Sequence, residues 1–378
     1  MDQNTADFII IGGGIAGASA GYELCKLGKV ILLEKEKLPG FHTTGRSSAI
    51  FQKSFNKADP LLNILVTASE PFLRTPPDDF TTHPLLNDRP LLYIAQSDDQ
   101  NELDSLQTKL ANINIDAHFI EGPDAKELIP VLSEDYQGRA LLEQGVADID
   151  VGALHNGYLR AIKAAGGQVI TQAAVTDLEK KDQNWHITSS KGCFQAPIVV
   201  NAAGAWVDQI AEMAHITPIN IQPLRRTVIL VPSTKENCPN DWPLVMDTAQ
   251  GYYFKPDSGK VLMTPGDHHL SPPSDVQPEE IDIAYAAHYL EQATTLSVDK
   301  IDRSWAGLRN HVSDGYPVVG FDPKAEGFFW LAGQGGYGIK TAPVMGRITA
   351  NLIAHNKLPD DVTALGLSEE QISIRRLR

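Results

Sequence analysis

The stretch Phe8-Ile9-Ile10-Ile11-Gly12-Gly13-Gly14-Ile15-Ala16-Gly17 constrains this chain more than any other. A short β-branched run empties into glycines spaced G-x-G-x-x-G, and Ala18-Ser19-Ala20-Gly21-Tyr22-Glu23-Leu24 continues as a small-residue helix. A turn at Gly28 then leads into a second apolar run, Val30-Ile31-Leu32-Leu33, which ends on Glu34. Strand, turn, helix, strand and acid in this order make a dinucleotide-binding fingerprint. Gly12 permits the tight turn, Gly14 lets the backbone approach a pyrophosphate, and Gly17 lets the helix pack closely on the strands. Ile15 and Ala16 open the helix, whose first N–H groups face the phosphates. Glu34, about 20 residues beyond the glycines and followed by Lys35, is placed to accept hydrogen bonds from a ribose.

Three later stretches repeat that theme. Thr43-Thr44-Gly45-Arg46-Ser47-Ser48 is a second turn of glycine and hydroxyls, suited to the other side of a pyrophosphate or, for Thr44 and Ser47, to plain helix capping. The segment from Ala49 to Phe55 after it is expected to begin helical. Ile198-Val199-Val200 runs into Asn201-Ala202-Ala203-Gly204-Ala205-Trp206, a parallel-type strand emptying into small residues, which returns the chain to the dinucleotide sheet. Phe328-Phe329-Trp330-Leu331-Ala332 reads as a buried strand before the glycine turn Gly333 to Thr341, with a helix expected from Pro343 to Ala354. Between these returns lie an apolar-periodic helix over Asp59 to Leu73, a strand at Leu91 to Ala95 and a surface helix over Asp99 to Leu110. Thr227 to Val231 reads as a strand. Tyr252 to Pro256 and Val261 to Thr264 read as a hairpin around Asp257-Ser258-Gly259, followed by a helix over Glu279 to Leu296 with Ile283, Ala287 and Leu290 on one face.

Bulk properties exclude several classes of function. With 378 residues the chain can build a large two-part core, and a formal net charge of −15 argues against a nucleic-acid partner. Three cysteines, Cys25, Cys193 and Cys238, match no metal or redox spacing and make no disulfide framework. No run is long and apolar enough for a transmembrane segment, and Asp2 and Asp7 replace the basic start of a signal peptide. The expected location is the cytoplasm, free or peripheral to the inner membrane.

The glycine motif at 12–17, Thr43 to Ser48, Asn201 to Trp206, Trp305-Ala306-Gly307-Leu308-Arg309 and Gln334-Gly335-Gly336-Tyr337-Gly338-Ile339 together resemble the FAD-dependent D-amino acid oxidase superfamily. Within it the likeness is nearest to the bacterial D-arginine dehydrogenases. The resemblance implies a mixed α/β fold: a Rossmann-like FAD-binding domain assembled from 1–88, 145–222 and 303–378, and a substrate domain with an antiparallel sheet from 89–144 and 223–302. It implies non-covalent FAD, touched by the residues of the first two turns together with Val175, Ala202, Ala203, Gly204, Trp206, Gly307, Arg309, Gly335, Gly336, Tyr337, Gly338, Ile339 and Lys340. The implied reaction is hydride transfer from the α-carbon of a D-amino acid to flavin, giving an imino acid and then a 2-oxo acid and ammonia. Arg226, Tyr253, Arg309 and Gly336 match positions at the reacting end, where guanidinium groups clamp the substrate carboxylate. Arg225 competes with Arg226 for that role.

The likeness breaks at the side-chain end of the pocket, assigned to Ile50, Phe55, Leu91 and Met246. D-arginine dehydrogenases carry a histidine and a tyrosine at the positions of Ile50 and Phe55, and a carboxylate at that of Leu91. A guanidinium would lack its counter-charge here, which costs several kcal/mol. An uncharged, apolar or aromatic D-amino acid is therefore expected as substrate. Lys340 replaces a neutral amide, and either adds positive charge near the flavin or points to solvent. A 2-hydroxy acid or secondary-amine dehydrogenase, and a flavin-binding protein without catalysis, stay open as alternatives. So does the electron acceptor, whether quinone, dye or oxygen.

Overall fold

A computed structural model describes residues 4–97, 100–232 and 240–378. The first apolar run forms strand β1 (Phe8–Ile11), the small-residue segment helix α1 (Ile15–Leu24) and the second run strand β2 (Val30–Leu33). All four residues of each strand are buried, as expected of parallel strands covered on both faces. They lie in a six-stranded sheet with the order Val318–Phe321, Phe328–Ala332, Ile198–Asn201, β1, β2, Gln168–Ile170. Every neighbouring pair is parallel except the first, so one antiparallel edge strand flanks a doubly wound sheet. The returns read in the sequence at 198–201 and 328–332 are therefore sheet neighbours.

One face of that sheet packs on α1, on the helix Pro60–Arg74 and on the long helix Gly338–His355 through Ile10, Leu32, Leu65, Val200, Phe329 and Ile348. The other face is covered by a three-stranded antiparallel meander, Val175–Lys181, Asn184–Ser189 and Gly192–Ala196, and by the helix Val207–Met213. A nine-stranded sheet forms the second body, and its hydrogen bonds are antiparallel except between Leu91–Ile94 and Leu244–Asp247. The hairpin of Tyr253–Asp257 and Lys260–Thr264 turns at Ser258 and Gly259, both in the left-handed region. The helix Glu280–Ala293 packs on this sheet through Ala286, Leu290 and Ala293, so its buried stripe is shifted from the expected one.

Other differences have local causes. Residues 50–51 form the short strand β3 (Ile50–Phe51), paired with Ala147–Ile149, where a helical start was expected. Two apolar residues with an available edge gain more from pairing than from an isolated turn. The last long helix begins at Gly338 rather than Pro343, because tight burial against α1 holds Gly338 and Pro343 inside its first turns. Residues 303–311 pair along their whole length with Gln222–Pro232 in the nine-stranded sheet, so the boundary expected at 303 falls at the start of a strand of the second body. Cys25 and Cys193 are free thiols, and Cys238 lies outside the described residues. Among the described residues no helix is long and apolar enough to cross a membrane.

Candidate active site

A cavity of about 320 Å³ runs from the glycine turn of β1 to the face of the nine-stranded sheet. Its first end is backbone. Gly12 has φ of +109°, and a side chain there would bring Cβ to 2.4 Å from the Ala202 carbonyl oxygen. A Cβ on Gly17 would stand 1.9 Å from the Gly12 oxygen, so the turn and α1 touch without room for a methyl group. Gly12, Gly14, Ile15 and Ala16 line the cavity, whereas Gly17 lies beneath them as a packing residue. The first turn of α1 has neither an acidic residue nor a side-chain cap, which leaves its positive end toward the cavity.

Glu34 is buried at the end of β2, and its carboxylate accepts hydrogen bonds from the backbone N–H of Gly13 and of Glu36, both at 2.8 Å. Those bonds orient it and leave lone pairs for ribose hydroxyls. Lys35 Nζ sits 3.2 Å from the centroid of the Trp206 ring, and His42 packs against the same ring at 4.6 Å. Burial lowers the Lys35 pKa, while Glu36 and Glu34 pull it back. Val175, Ala203 and Gly204 complete this end together with Gln209 and Met213, which the sequence reading missed. Only the fold brings the helix Val207–Met213 to the mouth of the turn.

In the second turn, Thr44 Oγ1 accepts the N–H of Ile15 at 3.0 Å, and Thr43 Oγ1 donates to the Leu308 carbonyl at 2.8 Å. These bonds join the turn to α1 and to the strand Arg303–His311. Ser47 and Ser48 line the cavity, and Gly45 lies behind them, its N–H donating to the Gly40 carbonyl. Ala202 and Gly307 line the middle, and Gly335, Gly336, Gly338 and Ile339 come in from the last glycine turn. Tyr337 does not reach the cavity. Its hydroxyl donates to the carbonyls of Gly315 and Gly333, which pins the glycine turn from behind.

The far end is made of side chains. Residues 225 and 226 are neighbours in one strand and so face opposite sides of the sheet. Arg225 is buried in an ion-pair network with Glu279 and Asp282 of the helix Glu280–Ala293 and its N-cap, whereas Arg226 lines the cavity. Strand alternation therefore puts Arg226, and not Arg225, on the cavity side. Arg309 enters from the adjacent strand, where Gly336 packs on its guanidinium: a Cβ there would lie 2.8 Å from Arg309 Cζ. Among the described residues Arg309 makes no hydrogen bond and no ion pair within 4 Å, and Arg226 bonds only His268, at 3.1 Å. Asp267, held by the Thr227 N–H and hydroxyl, attracts both guanidiniums from farther off.

Burial, with Arg309 next, lowers the Arg226 pKa to about 9, and burial lowers that of Arg309. His268 and His311 beside them fall to about 4, through burial first and the neighbouring guanidiniums after it. Two buried cations that share a single acid, Asp267, and touch no carboxylate keep an excess of positive charge that suits an anion. Tyr253, whose hydroxyl is 2.9 Å from Ser48 Oγ, stands on the same wall, paired in register with Met246.

Ile50, Phe55 and Met246 line the side-chain end, and Leu91 does not. Leu91 shares a sheet face with Tyr93 but lies two positions earlier, roughly 7 Å along the strand, and it is fully buried. Nor is this end uniformly apolar: Gln52 and Lys340 also line it. Directly opposite Leu91 in register stands Glu143, 1% exposed, whose Oε2 accepts from Ser54 Oγ at 2.5 Å and Tyr93 Oη at 2.9 Å. The Gln52 amide donates to the same two hydroxyl oxygens. An acid absent at position 91 is thus present on the neighbouring strand, behind the wall rather than in it. No pattern in the sequence reveals this, because cross-strand register is set by distant turns.

Residues 7–352 match the family described as FAD dependent oxidoreductase. Glycine oxidase of Geobacillus kaustophilus is 25% identical, with 96% of each chain covered, and mouse mitochondrial sarcosine dehydrogenase is 23% identical over 95% of this chain and 41% of its own. The structures of L-proline dehydrogenase from P. horikoshii (22% identity, 99% and 98% covered) and of L-α-glycerophosphate oxidase from Mycoplasma pneumoniae with FAD bound (18%, 92% and 94%) superpose with TM-scores of 0.84 each. The cradle of Gly12, Gly14 and Gly17, the bare end of α1 and the oriented Glu34 carboxylate fit FAD. The chain belongs to the FAD-dependent oxidoreductase family and takes FAD as its cofactor.

Proposed function

We propose that this protein oxidatively deaminates D-amino acids with uncharged side chains, yielding a 2-oxo acid and ammonia by way of the imino acid. The observation that carries the reading is the pair Arg226 and Arg309, two cavity-lining guanidiniums that share one more distant acid, Asp267, and that no carboxylate among the described residues contacts within 4 Å. FAD, held without a covalent bond by the residues of the glycine turns, supplies the hydride acceptor. Arg309 and Arg226 grip the α-carboxylate, and the Tyr253 hydroxyl, oriented by Ser48, donates to the same group. That grip fixes the α-carbon against the cofactor end of the cavity, so orientation is the main contribution of the protein. With His268 and His311 held neutral beside the arginines, neither adds a positive charge that would repel the substrate's amine.

Ile50, Phe55 and Met246 receive the side chain, and Lys340 repels a guanidinium placed among them. D-arginine is therefore a poor substrate. Relatives named for glycine, sarcosine and dimethylglycine support a second reading, in which the same clamp holds a small or secondary amine. Steady-state assays over D-amino acids, N-methylglycine and L-proline, with both oxygen and an artificial dye as acceptors, separate the two. Turnover of aliphatic or aromatic D-amino acids supports the first reading. Turnover confined to N-alkylated or achiral substrates replaces it with the second, and D-arginine as best substrate refutes the side-chain assignment.

A further inference from the structure

Lys340 is 4% exposed, yet it lines the cavity, and its ammonium lies 4.1 Å from the centroid of the Phe55 ring. Among the described residues it makes no hydrogen bond and no ion pair within 4 Å. Its electrostatic partners are Arg309, which repels it, and Glu143, which attracts it. Glu143 is equally buried, and among the described residues the hydrogen bonds from Ser54 and Tyr93 to its carboxylate both fall on one oxygen, Oε2. A cation held over an aromatic ring, with a buried acid behind it, is the arrangement a basic side chain of a ligand would need.

We infer that Lys340 is a specificity-determining residue that occupies, from within the protein, the place of a substrate's cationic tail, so that the pocket selects neutral side chains by masking the acid Glu143. This deepens the reading of the site as a carboxylate clamp with a side-chain pocket, and rests on it. Burial pulls the lysine down to about 7 and pushes the acid up to about 7, and each partly restores the charge of the other. A charged lysine matched with a charged acid adds no net charge to this end of the pocket. A guest cation thus meets no free anion, and it does meet Arg309 and Arg226. Removing the lysine, not adding an acid, is what opens the pocket to basic ligands.

The test uses the FAD-loaded protein and two unreactive acids of one length, hexanoate and 6-aminohexanoate, with the visible absorbance of bound FAD reporting binding. The wild type binds hexanoate more tightly. Lys340→Met shifts the ratio of dissociation constants toward 6-aminohexanoate by at least about 10-fold, as expected for exposing one buried counter-charge. Adding Glu143→Gln to that variant abolishes the shift. Lys340→Gln repeats the measurement with a polar side chain should the methionine variant lose FAD. A ratio unchanged within about 2-fold in both variants, or a shift that survives Glu143→Gln, overturns the inference. If neither acid perturbs the wild type, the carboxylate clamp itself falls, and the inference falls with it.

Discussion

The two ends of the substrate pocket are both cationic and behave oppositely. At one end Arg226 and Arg309 face the cavity, Arg309 disfavours the charge on Arg226, and the two share one acid, Asp267. At the other, Lys340 faces the same cavity with Glu143 buried behind it. Two cations that share one acid keep an excess of charge that favours an anion, whereas one cation matched with one acid does not. Counting cations around a pocket therefore says little until each is matched with its counter-ion. On the reading proposed above, one end binds by an excess of charge, and the other sorts by having none to spare.

The comparison breaks most sharply at Arg309. Replacing it by Met removes a buried charged partner of the bound carboxylate, worth about 3–5 kcal/mol, and kcat/KM for a neutral D-amino acid should fall about 10³-fold while FAD content is retained. Arg226→Met should cost less, roughly 30–100-fold, read as a rise in KM, because His268 shares its surroundings. Tyr253→Phe removes one neutral donor, about 1 kcal/mol, and a 5–10-fold rise in KM is expected. A loss in Tyr253→Phe equal to that in Arg309→Met would show that the clamp is not ionic.

Acid sharpens the same contrast. His311 is held neutral by burial and the arginines, with its pKa lowered from 6.5 to about 4. A neutral form favoured by the fold stabilises the native state above pH 6.5, and that contribution is lost as pH falls toward 4. The melting temperature should drop by roughly 3 °C over that window, and His311→Asn should flatten the slope. The smallest effect on the pocket is expected at Arg225. Arg225→Met leaves the buried Asp282 with His269 as its remaining side-chain partner and should cost about 3 kcal/mol of stability, yet leave KM within about 2-fold of wild type. A large rise in KM would mean that the network behind the sheet positions Arg226.

Much of this molecule was legible in one dimension wherever a function is performed by consecutive residues. The turn at 12–17, Glu34 at the end of β2, the hydroxyl turn at 43–48 and the last glycine turn each sit within a few residues of the strand or helix that aims them. Local chemistry is enough there: φ is positive at Gly12, and no side chain fits between Gly17 and the Gly12 carbonyl. Gln209 and Met213 escaped notice because a helix far along the chain carries them to the cavity, and Leu91 was misplaced because a strand pattern does not say how far along the sheet a pocket extends.

What the amino-acid order determined alone was the cofactor cradle and the kind of sheet it rests on, since periodicity, glycine positions and capping act over short range. Tertiary structure alone decided which of two adjacent arginines faces the cavity, and that an acid stands across the sheet from Leu91. It also set Lys340 against that acid. Strand pairing joins residues nearly two hundred positions apart, and the balance of charge inside a cavity depends on those pairings rather than on neighbours in the chain.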